Sequence, residues 1–404
     1  MYLCIRQNLN HLSSEEYKIL RRLLRAAKCL TNEALYIIRQ YYFATKKYLS
    51  YSKVNAALKS SPNYKELNSN ISQQILMQID SNFKSFFALK KQKRKARMPK
   101  YLDKNGFAPI IIGFVRINDS KLLIPYSNTF KKSNKPIIID IPPILKDKVI
   151  KQIRIIPKYN ARFFEIMYIY ENKPVQRSLN KQNAMALDFG VSNLMTAVTN
   201  DGKAFIVDGR KIKSINQYFN KKNSYLQSIK DKQKLVRTKQ IDRLWQKRSN
   251  QINDYLQKAA KIVIDYCIKN NIGTLVVGNN DFQRSTNLGH VNNQNFVNIP
   301  YGKLKNKLAY LCELNNIQFI LQDESYTSKA SFFDKDELPP LYDGLSHEFS
   351  GKRIYRGLYK TATGRLLNAD VNGALNILAK SNVVDLSALY DSGVVNTPKR
   401  IRVA

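Results

Sequence analysis

The chain has 404 residues, with 67 Lys and Arg against 30 Asp and Glu, a formal net charge of +37. A hydrophobic fraction of 44% and an aromatic fraction of 11% exclude a wholly disordered polycation, and at roughly 100–200 residues per domain the length allows two or three folded domains. A folded chain this basic calls for a polyanion: nucleic acid first, because Lys and Arg displace counterions condensed on phosphates, and an anionic membrane surface second.

Cys4, Cys29, Cys267 and Cys312 are too far apart for a CxxC pair or a zinc-ribbon spacing, and read as core residues of a protein in a reducing compartment. The first residues are too short and interrupted for a secretory signal. The longest apolar stretch, Pro109 to Val115, falls far below the ~20 residues of a membrane span. The chain reads as cytoplasmic, with no membrane partner.

Residues 1–10 form one short strand. Ser13 and Glu16 then make a capping box, and Tyr17, Leu20, Leu24, Ala27, Leu30, Ala34 and Ile38 follow at helical spacing. A second helix runs from about Asn70 to Lys95, with Ile71, Ile75, Ile79, Phe83 and Phe86 on one face. Its end carries Lys90, Lys91, Lys93, Arg94, Lys95 and Arg97, a run suited to backbone phosphates or simply a solvated face. Short β-rich runs follow at 110–112, 115–117, 122–124, 137–141, 153–156 and 163–170, separated by prolines and turns. They suggest a small barrel that residues 1–10 could close, with the helices inserted. Residues 172–183 read as a polar linker.

From Ala184 the pattern changes. An apolar strand ends in Asp188 and Gly190, Leu194 to Val198 is a second, and Asn200-Asp-Gly turns into a third at Ala204 to Val207. Two long charged helices, about 213–233 and 238–270, precede a buried-type strand, Thr274 to Gly278. A helix opened by Pro300, a strand from Gln318 to Gln322, and a helix from Ala369 to Lys380 complete the order. That order matches a ribonuclease-H-like sheet.

Hydrolysis of a phosphodiester at neutral pH needs charge neutralised on the attacking and leaving oxygens, which two carboxylate-held cations can do. Acids at strand ends and helix starts are therefore candidates: Asp188 after the first strand, Glu324 after the last, and Asp370 opening the last helix. Spacing alone leaves Asp188 equally readable as a turn residue and Asp370 as an acid favoured by the helix dipole. No HExxH, nucleophile triad or GxxxxGK[ST] loop is present.

Three separated motifs, Asp188-Phe-Gly-Val-Ser-Asn-Leu, Glu324-Ser-Tyr-Thr-Ser-Lys-Ala-Ser and Arg356-Gly-Leu-Tyr with Asn368-Ala-Asp-Val-Asn-Gly-Ala-Leu-Asn, resemble in order those of the transposon-encoded TnpB family, related to type V CRISPR effector nucleases. Asn32-Glu-Ala-Leu-Tyr, Ser214-Ile-Asn-Gln-Tyr-Phe and Asn293-Gln-Asn-Phe-Val-Asn-Ile-Pro look like further segments of that family. The resemblance implies a multidomain α+β and α/β protein. Residues 1–12 and 98–176 would be a wedge-like β-barrel, 13–97 an inserted helical recognition lobe, and 184–404 a RuvC-like nuclease domain with a helical insertion at 213–270. It further implies an RNA-guided DNA endonuclease, nucleoid-associated, that binds a guide RNA from the transposon end and double-stranded target DNA beside a short adjacent motif. Asp188, Glu324 and Asp370 would hold two Mg2+ ions, with Mn2+ as a substitute.

Two departures from the family pattern stand out. Many members carry the second acid at the end of the fourth strand, where this chain has Gly278-Asn-Asn and no acid before Asp281; Glu324 at the end of the fifth strand then takes its place, about 4.8 Å away. Asp323 is the rival, set on the opposite face by strand alternation, and Asp281 is a third option. Many members also carry four zinc-binding cysteines before the last helix, but residues 328–367 contain none, and His347 alone cannot make a structural zinc site. No zinc is expected. The loop is expected to hold by packing of Phe332, Phe333, Tyr342, Phe349 and Tyr355, and to resemble a target-strand-loading segment. Arg353, Arg356 and Arg365 would contact phosphate near the cut.

Two other functions compete: a nuclease-dead RNA-guided repressor, which would be expected to have lost Asp188 or Asp370, and a transposase acting directly on transposon ends, which would join DNA without RNA.

Overall fold

Alternation and capping set the local structure, and long-range pairing sets the rest. The structure, a computed structural model, describes residues 1–279, 298–339, 345 and 347–403. Asp281, His290, the segment 293–297 and Tyr342 lie outside them. The chain divides into two units, Met1–Lys173 and Pro174–Ala404.

In the first unit the strand Tyr2–Asn8 (β1) precedes a long helix, Ser14–Thr45. The capping box is present: Ser13 Oγ accepts from the Glu16 amide (3.2 Å) and the Ser13 amide donates to Glu16 Oε2 (2.7 Å). Leu20, Leu24, Ala27, Leu30, Ala34 and Ile38 are buried. Helices Tyr51–Leu58 and Pro62–Glu66, too short to show a period, were not expected. The helix Ser69–Lys91 buries Ile71, Ile75, Ile79 and Phe83. It stops four residues earlier than the sequence suggests, because Lys93 adopts a left-handed conformation (φ 56°) that turns the basic run out of the helix.

The remaining strands of this unit are Ile110–Ile112 (β2), Ile117–Asn118 (β3), Lys121–Leu123 (β4), Ile138–Asp140 (β5), Ile150–Lys158 (β6) and Phe163–Glu171 (β7). The strands expected to form one barrel divide between two hydrogen-bonded sheets, β1-β7-β6-β2 and β3-β4-β5. β1 runs antiparallel to β7 over its full length, from Tyr2 opposite Glu171 to Asn8 opposite Glu165. One apolar core joins these sheets to the helices.

The second unit is built on a six-stranded mixed sheet. Its strands are Asn180–Phe189 (β8), Asn193–Thr199 (β9), Ala204–Asp208 (β10), Ile272–Asn279 (β11), Gln318–Asp323 (β12) and, beyond a three-stranded sheet of Lys352–Tyr355 (β13), Leu358–Lys360 (β14) and Leu366–Asn368 (β15), the strand Lys399–Ile401 (β16). The order is β12-β11-β8-β9-β10-β16. β8, β9 and β10 form an antiparallel meander, while β11 and β12 run parallel to β8, so the ends of β8, β11 and β12 share one edge. Period-two alternation splits β8 between two cores. Met185 and Leu187 face the helices Lys239–Lys269 and Tyr301–Leu314, whereas Ala184 and Ala186 face the helix Ala369–Ser381. β16, absent from the sequence reading, lies parallel on β10 with Arg400 opposite Ile206.

Of the four cysteines, Cys267 and Cys312 are buried in one core as expected, Cys29 is half-buried, and Cys4 is exposed. Among the described residues no helix is long and apolar enough to cross a membrane.

The cysteine-free segment before the last helix is held only partly as expected. Phe332 is buried and stacks on Tyr390 at 4.5 Å, Phe333 lies under the Arg365 guanidinium at 3.8 Å, and Phe349 packs near Tyr326. Tyr355 is 74% exposed and packs nothing together. The larger tie is polar. Asp334 Oδ2 accepts from Ser331 Oγ (2.6 Å), Ser350 Oγ (3.2 Å) and the Ala362 amide (2.8 Å), and Asp336 accepts from the Ser331 amide (2.7 Å) and Ser350 Oγ (2.6 Å). Burial works against the Asp334 carboxylate, but these donors outweigh it and hold its pKa below the usual range. Its contribution is thus present above pH ~4 and lost as the pH falls through the lowered value. Acidification below that range, or Asp334→Ala at neutral pH, is expected to lower the protection of the Ala362 amide, its hydrogen exchange measured relative to the intrinsic rate at the same pH. The loss corresponds to about 1–3 kcal/mol of local stability.

Candidate active site

Three carboxylates meet at the shared edge of the second unit's sheet. Asp188 is the penultimate residue of β8, and alternation turns it, like Ala184 and Ala186, toward the helix Ala369–Ser381. Asn368 caps that helix, its side chain accepting from the amides of Asp370 (3.0 Å) and Val371 (3.2 Å), which fixes Asp370 in the first turn. Glu324 follows β12 directly.

The backbone approaches closely here because two positions lack a Cβ. A methyl at Gly278 would come 2.5 Å from Glu324 Oε2 and 2.9 Å from Ile377 Cδ1. One at Gly373 would lie 3.3 Å from Asp188 Oδ2. The glycine at the end of the fourth strand is thus the space that Glu324 occupies. The asparagines of the last helix serve the same edge. Asn372 Nδ2 donates to Ala330 O (2.7 Å), and Asn376 Nδ2 donates to Thr327 O (2.9 Å) and Ala330 O (2.7 Å), pinning the segment after Glu324 to the helix that carries Asp370.

The electrostatics follow from this crowding. Asp188 keeps some exposed surface, but dense surroundings desolvate it, and the neighbouring charges of Glu324 and Asp370 add to that effect; its carboxyl is pushed well above the usual range. Arg353 opposes the shift. Tyr301, whose hydroxyl donates to Gly190 O (2.8 Å), is raised by burial and then by Asp188 and Glu324. Asp323 behaves differently. Lys380 Nζ (2.8 Å), the Ser325 amide (3.1 Å) and Ser325 Oγ (3.0 Å) all donate to it, and together they overcome its burial and lower its pKa. The two neighbours thus differ in surroundings: Glu324 acts on Asp188, and Asp323 pairs with the half-buried Lys380.

Asp370 is engaged on both oxygens, Oδ1 by Arg353 (2.8 Å) and Oδ2 by Asn193 Nδ2 (2.6 Å). With side chains so placed, no three His, Cys, Asp or Glu groups among the described residues converge on one ion position. Glu324 and Asp370 are nonetheless within electrostatic reach of Asp188. In kind, three carboxylates on converging backbones suit a hard divalent cation, and mutual repulsion is what such a charge relieves.

The basic candidates divide. Lys90, Lys91, Lys93, Arg94, Lys95 and Arg97 are all exposed, and among the described residues none has a carboxylate partner; Lys90 reaches the Tyr42 hydroxyl (3.2 Å). Arg353 joins the carboxylates, Arg356 is exposed on the β13–β14 turn, and Arg365 is spent on Phe333. The sequence reading missed a groove of about 520 Å³ between the helices Arg210–Lys232 and Lys239–Lys269, lined by Tyr218, Lys222, Tyr225, Arg243 and Lys247. The interleaving of tyrosine and lysine along 218–225 was the available signal.

With this geometry in view, the comparisons are specific. The sequence profile of a family described as a probable transposase, OrfB_IS605, matches residues 167–282, and that of a Cas12f1-like TNB domain matches residues 301–377. A TnpB-like protein, ORF457 of Acidianus two-tailed virus, is 25% identical over 222 residues, 52% of this chain and 45% of that protein. The chain thus matches less than half the length of this curated relative. Among solved structures, one of a Cas12f1–sgRNA–target DNA complex superposes with a TM-score of 0.57 at 17% identity, covering 90% of this chain and 83% of that one, a likeness of fold. A CRISPR-Cas12f ternary complex covers 90% of this chain and 81% of its own, but its TM-score of 0.37 carries no argument.

Proposed function

We propose that this chain is an RNA-guided, metal-dependent DNA endonuclease of the TnpB type, with a ribonuclease-H-like catalytic domain in its second unit. The observation that carries the reading is the meeting of Asp188, Glu324 and Asp370 at one sheet edge in a chain of net charge +37. Asp188, Glu324 and Asp370 are the residues that would hold divalent cations, Mg2+ in the cell. Such cations, when bound, neutralise charge on the attacking and leaving oxygens of a phosphodiester.

The protein's own part is to gather the acids, present the scissile phosphate and grip the nucleic acids. Arg353, partly exposed beside Asp370, is placed to meet a phosphate oxygen. The exposed run from Lys90 to Arg97 and Arg356 supply sequence-independent phosphate contacts. The groove of Tyr218, Lys222, Tyr225, Arg243 and Lys247 combines positive charge with rings on which bases stack. The first unit is read as the wedge and recognition parts, and the cysteine-free segment 328–367 as the loading loop, without zinc.

The test is to purify the protein with its native flanking DNA, sequence the RNA that accompanies it, and use that RNA to program cleavage. One dominant transcript with a structured scaffold and a variable end, and Mg2+-dependent cutting that EDTA abolishes, are expected. Heterogeneous RNA removable by salt, with end joining that needs no RNA, would replace this reading by a transposase. Guided binding without cutting would replace it by a repressor.

The same site gives a sharper expectation. At Gly278→Ala the flexible end of Glu324 yields before the backbone does, so cleavage is expected to fall roughly 10- to 100-fold, as a misplaced group of this kind costs. Thermal unfolding is expected to change little. An unchanged cleavage rate would show that Glu324 does not need that space.

A further inference from the structure

We propose that Asn193 and Arg400 act as a positioning relay for Asp370, anchored on Asp208, so that β16 is part of the catalytic apparatus. The inference rests on the nuclease reading above. Asn193 opens β9, and its amide lies between two charged groups of opposite sign. Nδ2 donates to Asp370 Oδ2 (2.6 Å), and Oδ1 accepts from Arg400 Nη2 (2.7 Å). Arg400 Nη1 donates in turn to Asp208 Oδ1 (2.9 Å). Asp208 is buried at the end of β10, where it also takes Arg210 Nε (2.8 Å) and its carbonyl accepts from the Tyr255 hydroxyl.

Donor and acceptor chemistry gives this chain one direction. A carboxylate only accepts and a guanidinium only donates, so the amide satisfies both neighbours in a single orientation. Asp370 and Arg400 therefore select the same orientation of Asn193, and Arg400 fixes the amide's position from its other end. Without Arg400 the amide keeps its bond to the carboxylate but loses the anchor that fixes its plane.

The relay differs from the other restraint on Asp370. Arg353 comes from a short hairpin, and its side chain is 41% exposed. Asn193 and Arg400 are instead fixed to the main sheet, β9 and β16 flanking β10. When Arg353 turns to a phosphate, the relay still holds the plane of the Asp370 carboxylate. Partners that orient a metal-binding side chain typically matter about 10- to 100-fold for metal affinity.

The experiment uses the full chain loaded with its guide RNA and follows Mn2+ binding by the loss of the free-ion EPR signal, alongside cleavage as a function of Mn2+ concentration. Asn193→Leu is nearly isosteric and removes both bonds. Arg400→Lys keeps the charge, but its single ammonium replaces the two-armed bridge. Both are expected to weaken Asp188-dependent Mn2+ binding about 10-fold, and to raise the half-maximal Mn2+ concentration for cleavage by the same factor. The rate at saturating Mn2+ is expected to stay within about twofold of the starting protein. Arg210→Ala, which removes only the other partner of Asp208, is expected to bind and cleave normally. Unchanged Mn2+ binding in both relay variants, an equal loss in Arg210→Ala, or a loss that saturating Mn2+ fails to restore would overturn the relay. Mn2+ binding that survives Asp188→Ala would overturn the nuclease reading itself, and the relay with it.

Discussion

Asp188→Ala is expected to lower target cleavage by at least about 10³-fold while leaving guide RNA and target binding near normal. Losing a ligand that places charge-neutralising cations removes several kcal/mol of transition-state stabilisation, and each ~1.4 kcal/mol is tenfold in rate. In the proposed reading, binding would depend on base pairing and on basic residues rather than on these acids. The measurement pairs a single-turnover cleavage assay with a band-shift assay on the same preparations. Cleavage within tenfold of wild type would remove Asp188 from the reaction. The conservative Asp188→Asn adds a second signature. The site crowds Asp188 against Glu324 and Asp370, so neutralising it relieves repulsion in the metal-free protein. The variant is expected to unfold at a higher temperature, by about 2–4 °C for each kcal/mol relieved in a unit of this size. Lost activity with gained stability marks a carboxylate kept for function.

Glu324 and Asp323 are adjacent, yet their replacements are expected to fail in opposite ways. Glu324→Ala should abolish cleavage and leave the fold intact, since Glu324 faces the other acids across the space left by Gly278. Asp323→Ala strands Lys380, whose side chain is only 9% exposed and whose other described partner is Ser325 O (3.0 Å). Breaking such a part-buried pair from one side, and leaving a largely desolvated ammonium with one carbonyl, costs about 1–3 kcal/mol. This variant should therefore unfold early while each folded molecule cleaves normally. Thermal unfolding and cleavage per folded molecule separate the two outcomes. If Asp323→Ala were stable and inactive, the assignment would be reversed.

The positions of the three acids were legible because each sits where a local rule marks it; their catalytic role is the proposal. Asp188 ends an apolar alternating run, and Asp370 stands two residues after the capping Asn368. The strand's period of two was enough to expect Asp323 and Glu324 on opposite sides, as their different partners reflect. Their partners were not legible. Asn193, Arg353 and Arg400 reach Asp370 or its relay from three different strands, and nothing local in a three-residue strand such as β16 announces its neighbour. The cysteine-free loop shows the same limit. Aromatic residues suggested packing, and Phe332 does pack, but Tyr355 does not, and the principal ties are Asp334 and Asp336, acids whose hydrogen bonds span positions 331 to 362. In the first unit, the capping box and the apolar stripe gave the long helix, while the helices at 51–58 and 62–66 were too short to carry a period.

The parallel docking of β16 on β10 sets an order on the birth of the molecule. A ribosome releases β10 early and the acids at 188, 324 and 370 in turn, but the strand that covers the β10 edge emerges after all of them. Until then β10 offers an open row of backbone donors and acceptors, and any pairing must wait for a distant segment, a slow closure. A nascent chain can thus hold every acid and still lack Arg400. Vectorial synthesis itself would delay the relay contacts to Asp370 until the message has been read past residue 400, and a transcript broken before that point would encode a chain with an exposed seam.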